Sequence, residues 1–286
     1  MTPERAFEDR RAAMTGLAYR MLGSRSDAED VVQDAWLRWR SAEDVRNPDA
    51  FLNRVVTRLC LDRLKSARAR REVYVGEWLP EPILEDDPME PSSAENLSVA
   101  FLLALERLTP LERAAFLLHD VFDTPFAEVA SILGRSEAAC RQLAARAREH
   151  VKAARPRYKP SAEEEKRLTE AFLTAALSGD EGLLRQILAD DVVMHSDGGG
   201  VVRANLNPII GLDRTIRFIQ GILRKNPPPP GASGRIARVN GQPGALMLSP
   251  SGEIIQTTAL EIRDGRVVAA YTMRNPEKLA HLKIEL

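Results

Sequence analysis

The sequence predicts a multidomain chain, with an all-α N-terminal half followed by an α+β domain. Three observations carry that reading. Up to about residue 156, apolar residues recur three and four positions apart behind recognisable helix caps. Charge in this half is segregated into two basic blocks around an acidic, proline-rich connector. Beyond ARPRYKPSAEE the register changes to two helices and then short β-branched runs punctuated by glycine.

The elements follow in order. A first helix runs from about Pro3 to Leu22 and stops at Gly23. The second is SDAEDVVQDAWLRW, Ser26 to Trp39, where Ser26 and Glu29 form a capping box. Ala28, Val31, Val32, Ala35 and Trp39 form its buried stripe, and Asp30, Gln33, Asp34 and Leu37 line an adjacent face. That face is either a solvated acidic surface or a docking surface for a basic partner. Asn47-Pro48 caps a third helix in which Leu52, Val55, Val56 and Leu59 face inward while Arg54, Arg58 and Lys65 project outward. From Arg46 to Arg71 eight basic residues oppose only Asp49 and Asp62, a net charge of +6. So one-sided an excess points to nucleic acid.

Glu72 to Glu95 carries eight acids and no Lys or Arg, and prolines at 80, 82, 88 and 91 disfavour helix and central strand. This is an extended linker, yet its middle, WLPEPIL, is too apolar to sit idle in water and is expected to dock. Next, Thr109-Pro110-Leu111-Glu112 opens a helix with a capping box, and Thr124-Pro125 opens PFAEVASILG. Only Arg135 separates Gly134 from Ser136, the cap of SEAACRQLAARAREHV, so the pair reads as a helix-turn-helix. Ala139, Leu143, Ala147 and Val151 are expected to face the core, and Arg141, Ala145, Arg148 and Lys152 to face outward beside Gln142 and Arg146. The segment Arg135 to Arg157 is net +5, and Arg and Gln are the types that read G and A edges in the major groove. An ordinary three-helix bundle is the competing reading.

In the last part, Leu168, Ala171, Phe172 and Ala175 mark a helix and DEGLLRQILA another. DVVMHS, a turn through Gly198 to Gly200, and VVRANL read as a hairpin, followed by the helix GLDRTIRFIQGILRK. RIARVNG, GALMLS, IIQTTALEI and VVAAYTM complete a curved antiparallel sheet, with a turn at Asp264-Gly265.

Composition sets the bounds. With 286 residues, 44% hydrophobic and 28% charged, the chain has room for two or three packed domains. MTPERAFEDRR contains no apolar run, so no signal peptide is expected, and no stretch is long enough to span a membrane. Cys60 and Cys140 sit inside helical patterns, which suits a reducing cytoplasm, and no His or Cys cluster has metal-site spacing. Neither metal nor cofactor is expected.

An acidic-faced helix, an Arg-rich helix and a helix-turn-helix across a linker resemble, in that order, a bacterial sigma factor of the extracytoplasmic function (ECF) class. The resemblance covers residues 5–155. It implies that SDAEDVVQDAWLRW is region 2.2, whose Asp30, Gln33, Asp34 and Leu37 would dock on the β′ clamp helices of core RNA polymerase. FLNRVVTRLCLDRLKSARARRE would be regions 2.3 and 2.4, with Arg54, Arg58, Arg63, Lys65, Arg68, Arg70 and Arg71 at the −10 element. Residues from ERLTPLERAAFLLHD onward would be region 4, meeting the β flap and reading the −35 element through Arg135, Ser136, Arg141, Gln142, Arg146 and Arg148. The implied division is 1–75 for region 2, 76–95 for the linker, 96–156 for region 4 and 157–286 for the remainder.

That remainder resembles a SnoaL-like (NTF2-fold) cone, and three motifs resemble those of the sigma subgroup that carries it. They are WLPEP (Trp78, Leu79, Pro80, Glu81, Pro82), DGGG (Asp197, Gly198, Gly199, Gly200) and NPEKL (Asn275, Pro276, Glu277, Lys278, Leu279). The implied role is regulatory, with the linker motif docking on the other two. Val201 stands where the subgroup usually has a basic residue, which implies a weaker or rearranged contact. Some SnoaL-like proteins are enzymes that use Asp or His as a base, and His195 and Asp197 are the candidates here. A conventional DNA-binding regulator with a ligand-sensing domain is the other alternative, though it leaves residues 26–71 unexplained. Expected partners are core polymerase, promoter DNA and a small ligand in the cone; no anti-sigma factor is inferable from the sequence.

Overall fold

A computed structural model describes residues 3–42, 45–84, 97–152 and 160–283, apart from the side chains of Pro3 and residues 66–72. The chain forms two compact units. The first takes residues 1–73 and 86–155, and the second takes 74–85 and 156–286. Among the described residues no helix is long and apolar enough to cross a membrane.

The first unit is helical. It comprises α1 (Pro3–Leu22), α2 (Arg25–Arg40), α3 (Pro48–Glu72), α4 (Val99–Glu106), α5 (Pro110–Phe116), α6 (Phe126–Leu133) and α7 (Glu137–Val151). Gly23 ends α1 at φ +67°, a left-handed conformation that glycine adopts without a side-chain clash. The cap of α2 is Ser24, not Ser26: Ser24 Oγ accepts from Asp27 N at 3.1 Å. Glu29 is thereby freed to pair with Arg25 at 3.0 Å. The stripe Ala28, Val31, Val32, Ala35 and Trp39 is buried as its spacing predicts. Asn47 caps α3, and Thr109 and Glu112 form the expected capping box on α5.

On α7 the buried row is Cys140, Ala144, Ala147 and Val151, rotated from the expected one so that Ala139 and Leu143 lie at its margin. The row three and four apart from Cys140 packs as well as the one from Ala139, and the sequence spacing does not separate them. Arg113, almost fully buried, donates to Glu106 at 2.8 Å and to the Met21 carbonyl at 2.6 Å. Burial pushes its guanidinium down to about 10. This arginine ties α5 to the end of α1, so the helices before and after the linker share one core.

The second unit contains α8 (Ala162–Ser178), α9 (Glu181–Ile187), β1 (Leu188–Asp197), β2 (Ile209–Ile210), α10 (Leu212–Lys225), β3 (Ser233–Val239), β4 (Gln242–Leu248), β5 (Ile254–Arg263), β6 (Arg266–Met273) and α11 (Pro276–Leu279). The six strands run in the order β2-β1-β6-β5-β4-β3. Leu168, Phe172, Leu184, Ile187, Ile216 and Ile219 of the three longer helices pack with Val192, Leu260 and Val267 of the strands. The unit is α+β, as the sequence predicts.

Two expectations for the sheet need correction. VVRANL is not a strand: Asn205 folds its side chain onto the Met194 and Asn207 carbonyls and pins 201–208 as a loop, and the strand beside β1 is the short β2. Nor is the sheet wholly antiparallel, because β1 runs parallel to β6, with Asp197 opposite Met273. That pairing matters. Parallel neighbours end on the same edge, so DGGG after β1 and NPEKL after β6 emerge side by side.

Candidate functional site

The two motifs grip a third. Asp197, fully buried at the end of β1, accepts four hydrogen bonds. Tyr74 OH donates to Oδ1 at 2.6 Å and Gly199 N–H at 2.9 Å. The Leu79 N–H donates to Oδ2 at 2.9 Å and Lys278 Nζ at 2.7 Å. Lys278 Nζ also donates to the Leu79 carbonyl at 2.6 Å and lies over the rings of Trp78 at 4.3 Å and Tyr74 at 4.9 Å. An ammonium with a carboxylate, a carbonyl and two aromatic faces has exchanged water for a complete set of partners. Burial, and then Asp197, raise the Tyr74 phenol well above its ordinary 10.0, so the hydroxyl stays a donor.

The rest of the segment is held by backbone. Ile83 exchanges hydrogen bonds with Asn240, Leu84 bridges Val239, and the Pro82 carbonyl contacts His281 Nε2 at 2.9 Å. Leu79, Pro80, Pro82 and Ile83 are buried, and Glu81 is half-buried. Residues 74–84 are therefore a clasped strap of the second unit, whereas the sequence suggested a linker of 76–95; residues 85–95 lie outside the described residues.

The glycines are explained by what surrounds them. At Gly199, φ +64°, an added Cβ would lie 2.4 Å from Asn275 Nδ2; at Gly200, φ +73°, it would meet Val75 at 3.0 Å. Gly198 has no room either, with the Val202 carbonyl 2.0 Å from such a carbon. Asn275 caps α11 through Glu277 N–H and donates to Tyr74 OH at 2.9 Å. Pro276 and Glu277 are exposed, and Leu279 is buried. Val201 is 70% exposed and meets the motif through its backbone, its N–H donating to the Gly198 carbonyl at 3.1 Å. The cation of the clasp comes from Lys278 instead.

Asp197 and His195 each have partners of their own. The Asp197 oxygens are taken by four donors, and His195 Nδ1 meets Glu77 Oε1 at 2.6 Å while its ring stacks on Tyr271 at 4.9 Å. Tyr74, Glu77, Asn240 and His281 are clasp residues that sequence reasoning missed. Tyr74 had one usable signal: an aromatic residue four before Trp78, near the start of the acidic connector.

In the helical unit, Asp30, Gln33 and Leu37 of α2 are exposed and Asp34 is half-buried. Arg63 does not join the outward arginines of α3. It reaches Asp27 at 3.0 Å, Asp30 at 3.4 Å and Asp34 at 3.5 Å. Position 63 lies four after Leu59 and seven after Val56, on the face turned towards α2, and that offset was readable. Arg54 donates to Ser131 Oγ of α6 at 2.7 Å, Lys65 pairs with Asp62 at 2.8 Å, and Arg58 is exposed. Arg68, Arg70 and Arg71 lie outside the residues whose side chains are described.

On α7, Ser136 caps the helix. Arg141 pairs with Glu137 at 2.7 Å, and Arg148 with Asp120 at 2.6 Å. Gln142 and Arg146 are exposed, and Arg135 touches the Gly134 carbonyl. The tight turn is real: Gly134 at φ +64° ends α6, and α7 begins three residues later.

The family profile "Sigma-70 region 2" matches residues 6–70, and "Sigma-70, region 4" matches residues 98–151. The ECF RNA polymerase sigma factor SigJ of Mycobacterium tuberculosis is 40% identical over 285 residues, which span 95% of this chain and 91% of that one. This chain is an ECF sigma factor. It is also similar to the probable ECF sigma factor SigI of the same organism, 32% identical over 98% of this chain and 96% of the relative. The crystal structure of the Mycobacterium tuberculosis SigJ superposes with a TM-score of 0.79, covering 98% of this chain and 99% of that one at 36% identity. A sigma factor is a non-catalytic transcription factor whose partners are core RNA polymerase and promoter DNA. The conventional-regulator alternative is thereby set aside.

Proposed function

We propose that this ECF sigma factor is held in check by its own C-terminal unit through the strap at residues 74–84. The observation that supports it most is the Asp197–Lys278 clasp on a segment of the chain that joins region 2 to region 4. The arginines of the helical unit point the same way. Arg54, Arg63, Arg141 and Arg148 are engaged within the protein, and Arg113 packs the two promoter-reading halves into one core. The −10 and −35 elements are separated by roughly two turns of duplex, about 70 Å. Helices that touch one another cannot read both, so the helical unit has to open. Releasing residues 74–84 adds roughly 35 Å of reach, at ~3.3 Å per residue.

In the open form, Asp30, Gln33, Asp34 and Leu37 dock on the β′ clamp helices, and region 4 meets the β flap. Arg54, Arg58, Lys65, Arg68, Arg70 and Arg71 serve the −10 element, with Arg63 released to them when polymerase takes its acids. Arg135, Ser136, Arg141, Gln142, Arg146 and Arg148 serve the −35 element. Polymerase, or a small ligand in the cone, selects this form by differential affinity. The C-terminal unit binds and regulates; its Asp197 is a structural anchor and not a base. The protein acts where core polymerase is, in the cytoplasm, and the sequence's silence about an anti-sigma factor excludes none.

Run-off transcription on single-base promoter variants tests the DNA assignments. Arg141→Ala and Arg146→Ala are expected to shift −35 preference by ~1–3 kcal/mol at single positions. Unaltered −35 preferences would overturn the recognition-helix reading.

A further inference from the structure

Beside the clasp, the C-terminal unit holds a half-open cavity of about 640 Å³. Small-molecule sites typically measure ~300–1,000 Å³. Its body is apolar, with Phe172 of α8, Met194 of β1, Ile219 of α10 and Met247 of β4 among its walls. Its charged lining has one sign: Arg203, Arg217, Lys225 and Arg274 border it, and no Asp or Glu does. Among the described residues, none of these four cations makes an ion pair.

Arg274 is the telling one. Its Nη1 donates to the Arg203 carbonyl at 2.7 Å, but its Nε is buried without a partner. Burial holds the guanidinium below its ordinary range. A partly desolvated guanidinium with no carboxylate is an unmet demand, and a carboxylate is the acceptor whose two oxygens match its fork. Some of the other polar groups at the wall pair with one another, such as the Thr258–Thr272 hydroxyls at 3.3 Å. The lining holds no carboxylate, and its His195 meets Glu77 through Nδ1 and stacks on Tyr271.

We infer that the cavity binds an apolar monocarboxylate of medium chain length, its carboxylate on Arg274 and its hydrocarbon body between α8, α10 and the sheet. Arg274 adjoins Asn275, and the cavity-lining Ser196 adjoins Asp197, so the ligand sits against the strand ends that hold the strap. That consequence rests on the regulatory reading above; the binding itself does not.

Isothermal titration of the full chain with decanoate, decan-1-ol and decylamine tests the inference without polymerase or DNA. Decanoate is expected to fill one site, decanol to bind at least tenfold more weakly and decylamine not at all. Arg274→Gln should lower decanoate affinity to the decanol level. Gly221 lines the cavity, and a Cβ there meets no atom within 4 Å, so Gly221→Phe should fold, fill the space and abolish binding of both. Absence of decanoate binding by the wild type, equal affinity for decanoate and decanol, or full affinity in Gly221→Phe would each overturn it. None of those outcomes touches the clasp, which is read out by strap exchange and transcription.

Discussion

Two charge clusters in this molecule use the same chemistry to opposite ends. On the helical unit, Arg63 is shared among Asp27, Asp30 and Asp34, and every member keeps contact with water. In the C-terminal unit, Lys278 has one carboxylate, and the two side chains are 9% and 0% exposed. Exposed pairs contribute about 0–1 kcal/mol and are readily exchanged for other partners. A buried pair contributes little net stability over an apolar replacement, yet removing one member costs about 3–5 kcal/mol because the other is stranded. The first cluster suits a surface that changes partners when polymerase arrives. The second suits a catch that is either closed or open.

Lys278→Met should therefore have the largest effect. It strands Asp197 and frees the Leu79 carbonyl, and is expected to destabilise the C-terminal unit by ~3–5 kcal/mol in urea unfolding. Adding Asp197→Asn should recover part of that loss. A cost below about 1 kcal/mol would mean the pair is not the catch.

Gly199→Ala comes next, at roughly 1–3 kcal/mol, because it forces a side chain into left-handed backbone against Asn275. Val201→Lys, two positions on, should stay within ~0.5 kcal/mol, since Val201 is exposed. Equal effects at the two positions would break the distinction between the clasp and its rim.

This pair of substitutions also shows what the sequence could and could not convey. The glycine and NPEKL motifs, the caps at Asn47 and Thr109, and the turn at Gly134 were legible because each is a local conformational demand. That WLPEPIL would dock was legible from its apolarity in an acidic stretch. Its surface was not, because that depends on β1 pairing in parallel with β6, across more than seventy residues of chain. Val201 drew attention as a departure from a pattern, while Lys278, inside an intact motif, gave no sign that it was the working cation. Ser26 and Ser24 are equally good caps by residue type, and Ser24 is the one that accepts from Asp27 N–H. Arg63 was read with its basic neighbours although its offset from Leu59 places it towards α2.

A smaller, pH-dependent effect separates the clusters again. The folded Tyr74 phenol titrates above its unfolded value, so its contribution is complete below about pH 10 and declines as pH rises through the folded value. Spectrophotometric titration of wild type and Tyr74→Phe should show one late-titrating tyrosine missing from the variant. The Arg63 cluster has no such alkaline loss near pH 10.

The smallest effect on stability should come from the open cluster. Asp30→Arg with Asp34→Arg should change unfolding free energy by no more than ~1 kcal/mol while abolishing co-purification with core polymerase. Arg63→Met, with a similarly small stability change, should leave that association intact. Loss of association in both would mean the cluster matters for its shape and not for its acids.

The proposed restraint of the sigma factor by its clasped strap is tested with the least damage to the fold by Trp78→Ala. It removes one aromatic face from Lys278 while keeping the Asp197 hydrogen bonds. The measurement is run-off transcription from one cognate promoter at saturating core polymerase, with amide exchange at Leu79 confirming that the strap is looser. Faster Leu79 exchange and a several-fold rise in transcript are expected. Faster exchange with unchanged transcript would contradict the proposed restraint.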